Sequence, residues 1–229
     1  MLTAFACTKT AVNLDKESLL SYFPLAIGNA ITYKLDSTRY VQLGSGKEVH
    51  SYIIKDTVEK IITETSSNKT YRIGRLMRNE FDTTIWNRMA TYYLTIDSAK
   101  LELMESNKKY IQLVSPVKDG LSWNRNVYNA DTVKAAYSNT SKSVNINNLI
   151  IPASTTLLLK NDTILDPKNK QQYSAIYYWK EIYGKNIGLI FLEKTEEIWQ
   201  PPNVNSKTGY YDENSYHIKI SFLKDNFRR

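Results

Sequence analysis

The run from His50 to Thr65 restricts the fold of this chain more than any other segment. With the two-residue period of a strand, Tyr52, Ile54, Asp56, Val58, Lys60 and Ile62 share one face, and Ser51, Ile53, Lys55, Thr57, Glu59 and Ile61 share the other. Ser66-Ser67-Asn68-Lys69 has turn chemistry and Thr70 to Met77 returns, so the long strand is half of a hairpin. A second hairpin runs from Lys100 to Glu105, turns at Ser106-Asn107-Lys108 and comes back from Lys109 to Val114, with Met89 to Ile96 as a further strand between the two. Ala30 to Asp36 reads as an earlier strand, and Gly44-Ser45-Gly46 marks a turn. The first half is therefore an antiparallel meander, because its connections are too short for crossovers.

The second half is less regular. Asn148 to Ile151 and Thr155 to Leu159 read as short strands, Gln172 to Ile182 and Ile187 to Leu192 as a pair around Gly184, and Trp199-Gln200-Pro201-Pro202 as a strand end. Asn203 to Asn214 is polar and reads as a loop. Tyr216 to Leu223 alternates strictly, with Tyr216, Ile218, Ile220 and Phe222 against His217, Lys219 and Ser221, the pattern of a closing strand that pairs back into the sheet. Two short helices are expected, one capped by Asn13 or Asp15 and ended by Pro24, the other a turn or two within Ala130 to Tyr137. Seventeen tyrosines, with many Thr, Ile and Val, fit strands. The expectation is one mainly β domain over residues 14–229: an antiparallel, strongly curved sheet or partly closed barrel with one or two short helices.

At 229 residues such a domain buries its own core. One cysteine excludes an internal disulfide and a Cys-based zinc site, and with only His50 and His217 a histidine-rich metal site is not expected. No stretch approaches the roughly 20 apolar residues of a membrane-spanning helix. The net charge of +7 raises the question of nucleic acid, yet residues 1–114 hold 15 Lys+Arg against 12 Asp+Glu and residues 115–229 hold 15 against 11. An excess spread so evenly lacks the basic footprint of a nucleic-acid binder, so no nucleic-acid partner is expected.

Cys7 closes Leu2-Thr3-Ala4-Phe5-Ala6-Cys7. A lone cysteine after small and apolar residues at an N-terminus has the form of the end of a bacterial lipoprotein signal, with Ala6 as the small residue beside the cut. Ala4 stands where Leu is usual, and no basic residue precedes it. On this reading residues 1–13 are a signal remnant, the lipid-anchor cysteine and a tether, and the membrane is a partner through the lipid. The alternative is a free thiol near the terminus.

Tyr22-Phe23-Pro24-Leu25-Ala26-Ile27-Gly28-Asn29-Ala30-Ile31-Thr32-Tyr33 resembles the Tyr-Phe-Pro-Leu-x-x-Gly-Asn-x-x-x-Tyr opening of a group of uncharacterised Bacteroidota envelope lipoproteins. Glu181-Ile182-Tyr183-Gly184-Lys185-Asn186-Ile187-Gly188-Leu189-Ile190 is similar to their later Tyr-x-x-x-(Val/Ile)-Gly-Leu-(Val/Ile) segment, and Ala30 departs from a position where an aromatic is frequent. The resemblance implies an exported, membrane-anchored, β-rich domain and carries no enzyme activity and no catalytic residue. It implies an outer-membrane anchor in the cell envelope, and Thr8-Lys9-Thr10-Ala11 after the cysteine, without an acid, favours the periplasmic face over the surface.

Proteins exported in that phylum carry O-glycans at Asp-(Ser/Thr)-(Ala/Ile/Leu/Val/Met/Thr) sites. Six such sites occur here, with Ser37, Thr57, Thr83, Ser98, Thr132 and Thr163 as acceptors, where eleven aspartates give roughly one by chance. Asp-Ser/Thr pairs are also ordinary turn and cap residues.

Chemistry-bearing motifs are absent: there is no Gly-rich phosphate loop, no His-Glu-x-x-His and no Gly-x-Ser-x-Gly. His50 has no nucleophile beside it and reads as an exposed strand histidine, and Glu193, Glu196 and Glu197 read as a solvated strand end. Tyr177, Trp179 and Trp199 are candidates for stacking on a ligand, with alternation placing Tyr177 and Trp179 on one face and Tyr178 on the other. No catalytic residue, cofactor or metal is assigned. The expected role is that of a non-enzymatic, lipid-anchored envelope protein that binds or supports a partner. The alternatives are a lipocalin-like carrier, which requires an apolar cavity, and a glycan-binding surface protein, which requires an exposed aromatic row.

Overall fold

The computed structural model describes residues 19–41, 44, 46–82, 84–204 and 207–227. Among these residues a 3₁₀ turn, Leu19–Ser21, precedes thirteen strands: β1 (Ala30–Val41), β2 (Gly46–Glu64), β3 (Asn68–Asn79), β4 (Asn87–Asp97), β5 (Lys100–Glu105), β6 (Lys108–Val114), β7 (Ser122–Asn124), β8 (Lys134–Ile146), β9 (Leu149–Ile164), β10 (Ser174–Gly184), β11 (Gly188–Gln200), β12 (Tyr210–Tyr211) and β13 (Tyr216–Asp225). They form one antiparallel sheet in the order β6-β5-β4-β3-β2-β1-β13-β11-β10-β9-β8-β7, with β12 added beside β11. The strictly alternating β13 lies between β1 and β11 and joins the meander of the first half to the second half.

The sheet curls until its two ends meet, making a nearly closed barrel. At the seam the Ile111 N–H donates to the Arg125 carbonyl at 2.8 Å and Trp123 Nε1 donates to the Ile111 carbonyl at 3.0 Å. The buried Tyr137 hydroxyl accepts from the Val114 N–H at 2.9 Å and donates to the Val114 carbonyl at 2.7 Å. A sheet closed in this way leaves few unpaired edge groups.

Bulges set which side chains point inward. In β2 the partners jump from Val58↔Ile73 to Lys60↔Arg72, so Glu59 is the extra residue and the alternation inverts after it. Ile61 consequently packs on the core and Ile62 is exposed, the reverse of a face that runs unbroken from Ile54 to Ile62. Asn148–Ile151 and Thr155–Leu159 prove to be one strand, β9; the register with β8 skips between Val144↔Ile151 and Lys142↔Ser154, leaving Pro152 at the irregularity, where its missing N–H costs no ladder bond. The helical turn expected within Ala130 to Tyr137 does not form. Lys134 begins β8, and pairing with β7 and β9 buries Ala135 and Tyr137, which outweighs weak local helix preference. The Asn203–Asn214 segment contains β12.

One core cluster is built on Tyr71, Ile73, Leu94, Leu101, Leu113 and Leu157. A second gathers Tyr33, Ile54, Ile182, Ile190 and Phe222 with Ile146 and Ile151, from the tip of the β8–β9 hairpin. That hairpin has left-handed residues at Asn139 (φ 53°) and Ser141 (φ 63°), and Asn147 Nδ2 donates to the Phe222 carbonyl at 3.1 Å.

The two family-like motifs meet in space. Tyr22 is fully buried, and the Asn186 N–H donates to the Ser21 carbonyl. Gly188 has φ +107°, and a Cβ there would lie 3.3 Å from Ile31 Cδ1 and 3.8 Å from the Tyr22 carbonyl oxygen. The Pro24–Asn29 turn docks on β2, with the Gly28 N–H to the Val58 carbonyl and the Val58 N–H to the Asn29 carbonyl, both at 2.9 Å.

Candidate functional site: the interior cavity

Register places two ion pairs among the inward apolar side chains. Asp56 stands opposite Arg75, whose Nε and Nη2 donate to its two carboxylate oxygens at 2.7 Å, and the Tyr92 hydroxyl donates to Oδ2 at 3.0 Å. The second pair is Glu181 with Arg125, at 1% and 4% side-chain exposure, joined at 2.8 Å. Glu181 also accepts from the Tyr183 hydroxyl at 2.5 Å, from Gln112 Nε2 at 3.1 Å and from Trp179 Nε1 at 3.1 Å. Arg125 Nη2 donates to Gln112 Oε1 at 2.6 Å. Gln112 reaches this network through a bulge: the β5 partner changes from Leu113 to Ile111 with Gln112 left over, so consecutive residues Gln112 and Leu113 are both buried.

Burial pushes the Tyr33, Tyr92 and Tyr183 hydroxyls well above the usual tyrosine range, and the neighbouring Asp56 or Glu181 carboxylate raises them further. They stay protonated, and Tyr92 and Tyr183 donate to those carboxylates. Burial on its own would lower Arg75 and Arg125, but the Asp56 and Glu181 charges outweigh it, so both guanidinium groups are held cationic. Among the described residues Arg125 Nε has no hydrogen-bond acceptor; the guanidinium lies 4.7 Å from the Trp179 ring centroid, a cation–π contact.

These groups line a cavity of about 250 Å³ together with apolar Phe23, Leu103, Leu189, Leu192 and Ile220 and with Glu105, Tyr110 and Lys194. The wall is therefore mixed: an apolar surface with charged groups held in fixed positions.

The three stacking candidates are not brought together. Trp179 faces the cavity, with Arg125 and Lys194 each 4.7 Å from its ring centroid. Tyr177 shares that face nearer the strand end and has Lys160 Nζ 4.0 Å from its ring. Trp199 has the opposite parity on β11 and lies on the outer face. It is packed against Tyr211 at 5.1 Å and Lys170 at 4.5 Å, and Gly209 fits so closely that a Cβ would fall 2.2 Å from the indole.

Of the glycan acceptors, Ser98, Thr132 and Thr163 are exposed, in the β4–β5 turn, ahead of β8 and late in β9. Thr57 is half-buried between inward-facing Asp56 and Val58, and half-buried Ser37 shares the inward face of Tyr33 and Leu35. Cys7, Thr83 and the 1–13 segment lie outside the described residues. His50 is exposed, 3.3 Å from Glu48. Glu193 and Glu197 are not a solvated strand end: they are half-buried within β11, Glu193 against His217 at 3.1 Å and Glu197 against the Tyr40 hydroxyl and Lys47 at 3.2 Å.

The interior network itself was not anticipated from the sequence. Its signal was present, since Asp56 stands between Ile54 and Val58 on one strand face and Glu181 between Trp179 and Tyr183 on another. A charge at an inward position of a strand marks either a partner across the barrel or a ligand.

Fold and site together define an antiparallel, nearly closed barrel with an ion-paired interior cavity. Two solved structures are similar to it. One is described as a "putative lipoprotein" from Parabacteroides distasonis ATCC 8503, at 12% identity and TM-score 0.45 over 90% of this chain and 98% of that one. The other is described as a "putative exported protein with YmcC-like fold" from Bacteroides fragilis NCTC 9343, at 12% identity and TM-score 0.42 over 87% and 97%. No family model and no curated protein matches the chain.

Proposed function

We propose that this chain is a non-enzymatic, lipid-anchored protein of the cell envelope whose barrel binds a small molecule in its interior. The cavity of about 250 Å³ between the two buried ion pairs carries the binding role. Burying charge pairs costs desolvation, and an apolar core of the same shape is commonly as stable or more so. A purely structural barrel has no use for both the charged wall and the open volume. A ligand site uses both, with a few placed polar groups in a mostly apolar lining. The mixed wall also replaces the wholly apolar cavity of a lipid carrier. Asp56 and Glu181 are each tied to an arginine and a tyrosine, an arrangement that fixes charge instead of moving protons, which favours a binding role over an enzymatic one. The inward, half-buried position of Trp179 and the capped ring of Trp199 weigh against an exposed glycan platform.

The envelope part of the reading is supported by Cys7 in its small-residue context and by the excess of Asp-(Ser/Thr)-(Ala/Ile/Leu/Val/Met/Thr) sites. Intact mass of the protein purified from its native host tests it, beside a Cys7→Ala variant. The expected mass is that of residues 7–229 plus diacylglycerol and an acyl chain, lost in the variant, with hexose-scale increments at the glycan acceptors. A bare polypeptide beginning at Met1 would overturn the anchored reading.

A further inference from the structure

We infer that the interior cavity takes a small carboxylate, with its charged end at Lys194 and its body against the apolar wall. The inference rests on the reading of this cavity as a ligand site and adds the ligand's charge and size. Of the charged side chains around the cavity, Asp56 and Arg75 neutralise each other, as do Glu181 and Arg125. Among the described residues, Lys194 and Glu105 line the same space without an ion-pair partner.

These two are not equivalent. Glu105 ends β5 directly opposite Lys108, across the Ser106-Asn107 turn, so a cation stands beside it in register. Lys194 stands opposite Trp179, its Nζ 4.7 Å from that ring and 5.4 Å from the Tyr216 ring. Aromatic faces hold an ammonium group in place without neutralising it. Arg125 lies at 4.7 Å from the same indole. Two cations therefore flank Trp179 where one carboxylate, Glu181, is present, and Glu181 already accepts bonds from Arg125, Tyr183, Gln112 and Trp179. The charged lining balances overall, three cations against three carboxylates, so the positive charge open to a ligand is the local one on Lys194, held by aromatic rings and not by a carboxylate. A site partly removed from water strengthens its attraction for an anion.

Volume limits the part of the ligand that is held inside. An engineered cavity of about 150 Å³ holds benzene, and pockets for drug-sized molecules begin at about 300 Å³. A cavity of about 250 Å³ has room inside for one ring or a short chain with its head group, and cannot enclose a two-chain lipid. Leu103, Leu189 and Leu192 supply the surface for that chain.

Isothermal titration calorimetry with octanoate, 1-octanol and octylammonium separates the alternatives. Octanoate should bind at least tenfold more tightly than the other two, and Lys194→Gln should bring it to the level of octanol. Leu192→Trp, which fills the cavity, should abolish binding, with Leu103→Trp as a second filling variant and near-ultraviolet circular dichroism as the check that each is folded. Equal binding of all three probes, preference for octylammonium, or indifference to Lys194→Gln would overturn the carboxylate assignment while leaving the cavity as a ligand site. Binding of none of the probes, or binding unchanged in both folded filling variants, would overturn the ligand-site reading as well.

Discussion

At the scale of single residues, the barrel interior depends on charges that are stable only as partners. Arg125 is almost fully buried and gives one guanidinium N–H to Glu181 and one to Gln112. Removing it leaves the Glu181 carboxylate in a low-dielectric wall with only neutral donors. Breaking a buried pair from one side costs about 3–5 kcal/mol, whereas replacing both partners by apolar groups is often neutral. Arg125→Met should therefore lower stability in urea unfolding by about 3 kcal/mol or more, and Arg125→Met combined with Glu181→Leu should recover much of that loss. A double variant no more stable than the single one would show that Tyr183, Gln112 and Trp179 depend on the Glu181 carboxylate for their own placement. The same residues show why the site was hidden in the sequence. Glu181 and Arg125 are far apart along the chain and lie in segments of unlike pattern, so nothing local announces their pairing. Trp179 stood out as a stacking candidate, but Lys194 lies beyond the Ile187 to Leu192 strand read from the pattern, so nothing marked it as the residue opposite the indole.

At the scale of elements, the period-two pattern was enough to find the hairpins of the first half and the closing strand. It failed where a residue is inserted or a strand bends. Glu59, Gln112 and the Pro152 irregularity each shift register, and a one-residue shift sends the following side chains to the opposite face. Bulges leave no dependable mark in a single sequence because the inserted residue is of ordinary type. The seam is the element most exposed to perturbation, since β7 spans only Ser122–Asn124 and much of the closure falls to side chains. The Tyr137 hydroxyl serves both the N–H and the carbonyl of Val114. Tyr137→Phe keeps the ring against Trp123, 4.8 Å away, and removes only these bonds. Leaving a buried donor and acceptor unpaired costs about 1–3 kcal/mol. The variant should lose stability by that amount, and amide hydrogen exchange should accelerate first at Val114 and Ile111. Unchanged exchange along β6 would mean that the backbone bond from Ile111 to Arg125 closes the seam without help.

At the scale of the whole molecule, one strand decides whether the two halves behave as a unit. β13 is hydrogen-bonded to β1 on one side and β11 on the other, so the first-half meander and the second-half strands share it. Phe222 is almost fully buried, opposite Tyr33, and belongs to the cluster that also holds Ile54 of β2, Ile182 of β10 and the hairpin tip residues Ile146 and Ile151. Its side chain therefore touches a core to which both halves contribute. Truncating a buried phenylalanine to alanine costs about 3–5 kcal/mol through lost burial and the cavity left behind. If the barrel folds as one cooperative unit, Phe222→Ala should lower the urea midpoint of a single transition without splitting it. Hydrogen exchange by global opening should then accelerate by the same factor in β3 and in β10, strands on opposite sides of β13 in the sheet order. Acceleration confined to β9, β10 and β11 would instead mark the second half as a separately opening unit. In that case the cavity, whose wall takes Arg75 from β3 and Glu181 from β10, would come apart whenever that half opens, and ligand bound there would protect the two halves to the same extent by linking them.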